Sequence, residues 1–86
     1  MTTHQEWLIH WAERWVRNAN AEIQHRQEEI AELQKAISSA STAEEKESYE
    51  SLIEEYEAEI DSIRQSHRFW QRRAKRRWEL TIPDLK

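Results

Sequence analysis

The chain has 86 residues, enough for one small domain, and contains no Cys, no Gly and a single Pro. The absence of cysteine excludes disulfides, thiolate metal sites and a cysteine nucleophile. A hydrophobic share of 37% beside 35% charged residues is lean for a globular core, and it suits long helices that each bury one stripe. Five Trp residues in so lean a chain are the anomaly that a functional hypothesis has to explain.

Targeting and membrane signals are not recognisable in the sequence. The N-terminal residues MTTHQEWLIHWAERW contain no basic segment followed by a long apolar run. No part of the chain approaches the ~20 apolar residues that cross a bilayer. We therefore expect no secretory signal, no membrane contact and a cytoplasmic location.

The first predicted element is a helix over about residues 4–37. Its apolar residues recur at alternating spacings of three and four, which is the a/d pattern of a coiled coil. Arg26 interrupts this pattern once, as polar residues that fix the register of coiled coils do. The stripe consists of Ile9, Ala12, Val16, Ala19, Ile23, Arg26, Ile30, Leu33 and Ile37.

A polar connector follows over about residues 38–42. Ser41 or Thr42 is suited to cap a second helix, and Glu44 or Glu45 to complete a capping box. Short connections of this kind favour antiparallel neighbouring helices. The connector therefore predicts a turn between two helices.

The second predicted helix covers about residues 43–80, and residues 81–86 form a tail. Pro83 ends the helix because it disfavours helical backbone in the residue before it. The apolar stripe again alternates three and four, with His67 as its one strongly polar member. The stripe consists of Tyr49, Ile53, Tyr56, Ile60, Ile63, His67, Trp70 and Ala74.

The two stripes fit together when the chain folds back at the connector. Every layer then pairs an a position with a d position, from Ile37 with Tyr49 beside the turn to Ala12 with Ala74 near the termini. The pattern predicts an all-α fold, an antiparallel two-helix coiled-coil hairpin formed by residues 1–86. The alternative is an open helix pair that assembles only between chains, and the short connector favours the hairpin.

Further large apolar residues fall on one flank of the hairpin, at the open end that carries both termini. Aromatic side chains bury ~150–250 Å² each, so three or four of them would reach the ~300–600 Å² of the largest patch on a typical monomer. Arg73 is expected near Trp15, in a cation–π geometry. The flank residues are Leu8, Trp11, Trp15, Phe69 and Leu80, with Arg73 and Arg76 beside them.

Three partners could cover this patch: a second copy of the chain, a different protein, or the chain's own tail. We favour the second copy, which would dock as a homodimer and complete a four-helix bundle. The tail offers only three aliphatic residues and is too small to cover the patch alone. The predicted partner-binding residues are Trp7, Leu8, Trp11, Trp15, Phe69, Arg72, Arg73, Arg76, Arg77, Trp78 and Leu80.

Charges are segregated along the second half of the chain. Residues 38–63 carry nine acids against Lys46 alone, whereas residues 64–77 carry seven Arg and Lys and no acid. Acids early and bases late in a helix complement its dipole, which explains part of this pattern. The basic run Arg68–Arg77 also suits phosphate contacts with base stacking, so a nucleic-acid-binding hairpin is the alternative function. The acidic half opposes a long duplex along the rod.

Motifs for catalysis, cofactors or metals are not recognisable in the sequence. Glu22-x-x-His25 has the spacing of a di-iron carboxylate motif. Both residues lie outside the seam, which is the contact predicted between the two apolar stripes, and no second copy of the motif occurs. His67 is interpreted as a residue that fixes register, with pH sensing as the alternative. We therefore predict a non-enzymatic protein-interaction module, an adaptor, regulatory subunit or inhibitor without cofactor or metal, that binds through its Trp/Arg-rich open end.

Overall fold

The computed structural model describes residues 3–86 as two long helices followed by an extended tail. Helix α1 runs over His4–Ser39 and helix α2 over Ala43–Trp78. The helices pack against each other in opposite directions and form a rod 60 Å long. The predicted all-α hairpin is confirmed. Neither α1 nor α2 has a stretch that is long and apolar enough to cross a membrane.

Both helices begin at a threonine cap. The Thr3 hydroxyl accepts a hydrogen bond from the Glu6 backbone N–H at 3.1 Å, and the Thr42 hydroxyl accepts one from the Glu45 N–H at 3.2 Å. The Glu45 carboxylate in turn accepts from the Ser41 N–H at 3.3 Å. Of the two caps considered for the second helix, Thr42 with Glu45 is the pair that forms, and it satisfies donors that the first turn leaves free.

Helix α2 ends at Trp78 because the next residue leaves the right-handed helical conformation. Glu79 has φ 52° and ψ 31°, the left-handed region that commonly ends helices. The backbone N–H groups of Glu79 and Leu80 both donate to the Ala74 carbonyl. The chain therefore turns sharply two residues before the expected helix end, and Leu80 belongs to the tail.

The predicted seam is buried or half-buried at every position except Ile9. Ile9 is 40% exposed, whereas its neighbour Leu8 is 5% exposed and packs in the core. A straight helix drifts by about 20° per heptad relative to a seven-residue repeat. Over the two heptads between Ile23 and Ile9 this drift rotates Ile9 out of the seam and brings Leu8 into it.

The core lies at the open end of the hairpin. Ala12 and Ala74 are almost fully buried, which lets the two helices approach closely there. Between residues 24 and 59, in contrast, every side chain is half-buried or exposed. The turn half is thus a thin helix pair. The core residues are Leu8, Ala12, Val16, Ala74, Leu80 and Ile82, with Trp11, Trp15, Trp70, Trp78 and Leu85 packed against them.

Candidate interaction flank

The tail folds back along one side of the hairpin, which we call the tail flank. Leu80 and Ile82 are 6% and 3% exposed, so both side chains enter the core. The Gln71 side-chain amide donates to the Ile82 carbonyl at 3.0 Å and to the Asp84 carboxylate at 2.8 Å. At its end, the Lys86 backbone N–H donates to the Asn20 side-chain oxygen at 3.0 Å. The tail is therefore tied to both helices.

His67 is the buried polar residue of the seam, and it joins the tail to the aromatic residues. Its Nε2 lies 2.7 Å from the Pro83 carbonyl oxygen, which only accepts, so this nitrogen is the donor. Its ring stacks on Trp15 at 5.5 Å between centroids, with the planes 14° apart. This hydrogen bond compensates the burial of the His67 imidazole. No buried side-chain nitrogen or oxygen within residues 3–86 lacks a partner.

The opposite side of the hairpin carries the heptad g and c positions of both helices, and we call it the aromatic flank. Trp11 packs edge-on against Trp70 at 5.8 Å and against Trp78 at 6.4 Å, and Phe69 packs edge-on against Trp70 at 5.3 Å. These are favoured geometries for aromatic pairs. A groove of about 400 Å³ continues this surface towards the middle of the rod. It is lined by Trp15, Asn18, Ala19, Glu22, Ser62, Ile63, Ser66 and Trp70.

Two aromatic residues remain largely uncovered at the open end. Trp7 is 58% exposed and Phe69 is 53% exposed. The Trp7 ring lies parallel to His4 at 6.4 Å, and Trp7 also lines an open depression with Trp11 and Arg14. Trp11, Trp15 and Trp78 are half-buried. The structure therefore brings the predicted aromatic residues together and leaves part of their surface open.

Three expectations about this end need correction. Leu8 and Leu80 do not lie on an exposed flank, because the helix drift buries Leu8 and the turn at Glu79 directs Leu80 into the core. Arg73 does not lie over Trp15, because its guanidinium carbon is 6.0 Å from the Trp70 ring centre, within cation–π range. Trp15 stacks on His67 instead.

The basic run is exposed and free of ion pairs within residues 3–86. The two ion pairs in this part of the chain join Arg26 to Glu59 at 2.7 Å and Lys35 to Glu32 at 3.3 Å. Arg72, Arg76 and Arg77 point to solvent, and the last turn of α2 carries basic side chains where the helix dipole is negative. The cations therefore remain available to an acidic partner.

Within residues 3–86, no cluster of three or more His, Asp or Glu side chains is arranged to hold a metal ion. Glu22 lines the groove of the aromatic flank, while His25 is exposed one turn further along the same helix. His67 is occupied by the Pro83 carbonyl and the Trp15 ring.

The residues that anchor the tail were not found as functional residues in the sequence. Asn20 and Gln71 lie beside the seam, and from the sequence alone they cannot be distinguished from ordinary surface amides. The available signal was His67, a polar residue in an apolar layer, which implied a hydrogen-bond partner without identifying it.

Comparisons with protein-family models, with curated proteins and with solved structures find no match for this chain.

Proposed function

We propose that this protein is a non-enzymatic protein-interaction module, an adaptor, regulatory subunit or inhibitor, that binds a partner through the aromatic flank at its open end. The observation that carries the proposal is the exposure of Trp7 and Phe69 beside a cluster of half-buried tryptophans. Exposed aromatic residues next to arginine are typical of the residues that dominate binding energy at protein interfaces. The tail packs on the other flank and leaves this one open.

A rigid support for the aromatic residues favours a docking role. Trp70 contacts Trp11, Phe69 and the Arg73 guanidinium, so the aromatic side chains hold one another in place. Side chains that are already ordered lose less conformational entropy when a partner binds. Among the described residues 3–86, His67 is the one buried titratable residue, and its imidazole is hydrogen-bonded to the Pro83 carbonyl of the tail.

Self-association into a four-helix bundle is part of the proposal. Two paired helices bury only the stripe between them, and the turn half of this hairpin holds no buried residue between positions 24 and 59. Leu52 in that half is 41% exposed. A second hairpin would cover these residues in the manner of four-helix bundles.

Nucleic-acid binding is the second candidate. The observation in its favour is that the Arg and Lys side chains of the basic run are exposed and form no ion pair within the described residues 3–86. Arg72, Arg76 and Arg77 could contact phosphates, with Phe69 as a stacking surface. The net charge of −4 and the acidic half of α2 limit such contacts to the open end.

A set of charge and aromatic variants separates the two candidates. The variant Arg72→Glu, Arg73→Glu, Arg76→Glu, Arg77→Glu is compared with Trp7→Ala, Phe69→Ala and with Ile9→Ala, a control at an exposed apolar residue away from the aromatic flank. Proteins retained by the immobilised chain from host lysate, and fluorescence anisotropy of labelled single- and double-stranded oligonucleotides at two salt concentrations, are measured for each.

A protein partner predicts loss of the retained protein with the aromatic variant, retention with Ile9→Ala, and no salt-sensitive oligonucleotide binding by the wild type. A nucleic-acid function predicts oligonucleotide affinity that falls steeply with salt and vanishes with the four-glutamate variant. The interaction-module proposal fails if the aromatic variant and the control retain the same proteins and the wild type shows no self-association.

A further inference from the structure

We infer that the aromatic flank binds a second copy of this chain in antiparallel orientation, so that the basic open end of each hairpin covers the acidic turn half of the other. The inference rests on the proposed self-association and adds its geometry. It identifies the partner by charge and by the positions of the exposed apolar residues.

The first argument is the separation of charge along the aromatic flank. Its open half carries Arg73 and Arg76, whereas the g and c positions of its turn half carry glutamates and no Lys or Arg. A parallel dimer would bring the acidic halves of the two copies together, and like charges across an interface disfavour that arrangement. An antiparallel dimer brings opposite charges together. The glutamates are Glu29, Glu32, Glu45, Glu55 and Glu59.

The second argument is geometric. Two hairpins stacked flank to flank in opposite directions are related by a two-fold axis across the rod, which places α2 against α2 of the other copy, antiparallel. With this axis placed at the middle of α2, residues equally distant from that middle meet. That middle falls between Ile60 and Asp61, because α2 runs over Ala43–Trp78.

The exposed apolar residues of α2 match this symmetry. Leu52 and Phe69 lie equally far before and after the middle of α2, at g and c positions of the same flank. Both are large apolar residues that remain exposed, at 41% and 53%. The antiparallel dimer would therefore bury Leu52 of each copy against Phe69 of the other. Arg76 and Glu45 are related in the same way, which places opposite charges together beyond this apolar contact.

The aromatic flank is also large enough to form a stable dimer interface. Two helices side by side, each about 10 Å across with its side chains, give a surface about 20 Å wide. Along a rod of 60 Å this surface exceeds the roughly 800 Å² per partner of a standard stable interface. The other flank is less suited to a flat contact, because the tail occupies its open half through Leu80, Ile82 and Leu85.

Cysteine cross-linking tests the arrangement directly, because the chain has no cysteine of its own. Leu52→Cys and Phe69→Cys are made in separate chains, one of them with a size tag, and treated with a short bismaleimide alone and as a mixture. The antiparallel dimer predicts a covalent product of mixed size in the mixture. Each variant alone gives little product, because two copies of position 52 are about 25 Å apart in this arrangement.

The matched control is the pair Glu57→Cys and Arg64→Cys, which are also equally far from the middle of α2. Both line one depression, and Arg64 also borders the tail, so the pair lies on the side of the tail flank. This pair should give no mixed product. Sedimentation equilibrium of the wild type, with and without added salt, is run in parallel, and the antiparallel charge pairing predicts a weaker dimer at high salt.

The outcomes distinguish self-association itself from the antiparallel arrangement of the two copies. A dimeric mass with mixed product only from the control pair, or from neither pair, overturns the antiparallel flank contact and leaves self-association standing. A monomeric mass at all concentrations up to 100-fold above the cross-linking concentration overturns self-association and the inference together. Binding of a different protein to the aromatic flank is then tested by the lysate experiment alone.

Discussion

At the scale of single residues, Glu79 is the position where the backbone itself determines how the chain continues. It occupies the left-handed region, which costs an L-residue with a Cβ atom roughly 1–2 kcal/mol. Replacing Glu79 with Gly removes that cost, and the greater backbone freedom of unfolded glycine offsets part of the gain. We expect Glu79→Gly to raise the free energy of unfolding by about 0.5–1 kcal/mol in urea denaturation followed by Trp fluorescence.

The control for this prediction is the same substitution inside α2. Glu57 is exposed and has ordinary helical surroundings. Glycine in an exposed helix interior costs about 1 kcal/mol relative to alanine, so Glu57→Gly should lower the free energy of unfolding. If both glycine variants were destabilised equally, Glu79 would not hold the left-handed turn.

His67 is the second residue whose environment predicts a measurable effect. In His67→Leu the side chain keeps its apolar bulk, but the Pro83 carbonyl loses its 2.7 Å donor and Trp15 loses its stacked ring. Pro83 is an exposed residue, so the loss is that of an ordinary hydrogen bond, about 0.5–1.5 kcal/mol. We expect a loss of that size in the free energy of unfolding, together with faster proteolysis of the tail. His25→Leu, at an exposed site of α1, should change stability by less than about 0.5 kcal/mol.

At the scale of elements, the tail acts as a third packed segment rather than a free end. Ile82 is 3% exposed and lies in the core with Leu8 and Val16. Truncating a buried Ile to Ala costs about 2–5 kcal/mol, depending on how far the site collapses. We expect Ile82→Ala to lower the free energy of unfolding by at least 2 kcal/mol in urea denaturation. Thr81→Ala, one residue earlier and exposed, should be nearly neutral. Equal effects would show that the tail is not packed in solution.

The helices could be predicted from the sequence because their signals are local. The spacing of apolar residues determines the stripe, and the cap formed by Thr42 with Glu45 lies within four residues of chain. The tail could not be placed in the same way. Its position depends on the turn at Glu79 and on amide contacts with Gln71 and Asn20, and the Asn20 contact joins residues 66 positions apart.

The candidate site was predictable to the same extent. Heptad positions placed Trp11, Trp15 and Phe69 on one flank, because the register fixes the face of a helical residue. Their distance from the turn placed them at the open end. They did not predict that Arg73 lies over Trp70, because side-chain rotamers decide which ring a long arginine reaches. Nor did they predict the burial of Leu80, which follows the backbone turn rather than the helical repeat.

At the scale of the whole molecule, stability should be distributed unevenly along the rod. The open end combines the tail, the tryptophans and the closely packed layer of Ala12 and Ala74. The turn half has only half-buried seam residues such as Leu33 and Ile53. Amide exchange reflects local opening, and regions with few buried contacts open at lower free energy. The turn half should therefore open before the core does.

Hydrogen exchange at two protein concentrations tests this gradient and its origin. In dilute solution, we expect the slowest amides in the seam segments around Val16 and Ala74, and exchange at least tenfold faster around Leu33 and Ile53. If a second hairpin covers the turn half at higher concentration, protection should rise there more than in the core. Equal protection along both helices at every concentration would contradict the gradient. The seam's own packing would then have to be as strong beside the turn as beside the tail.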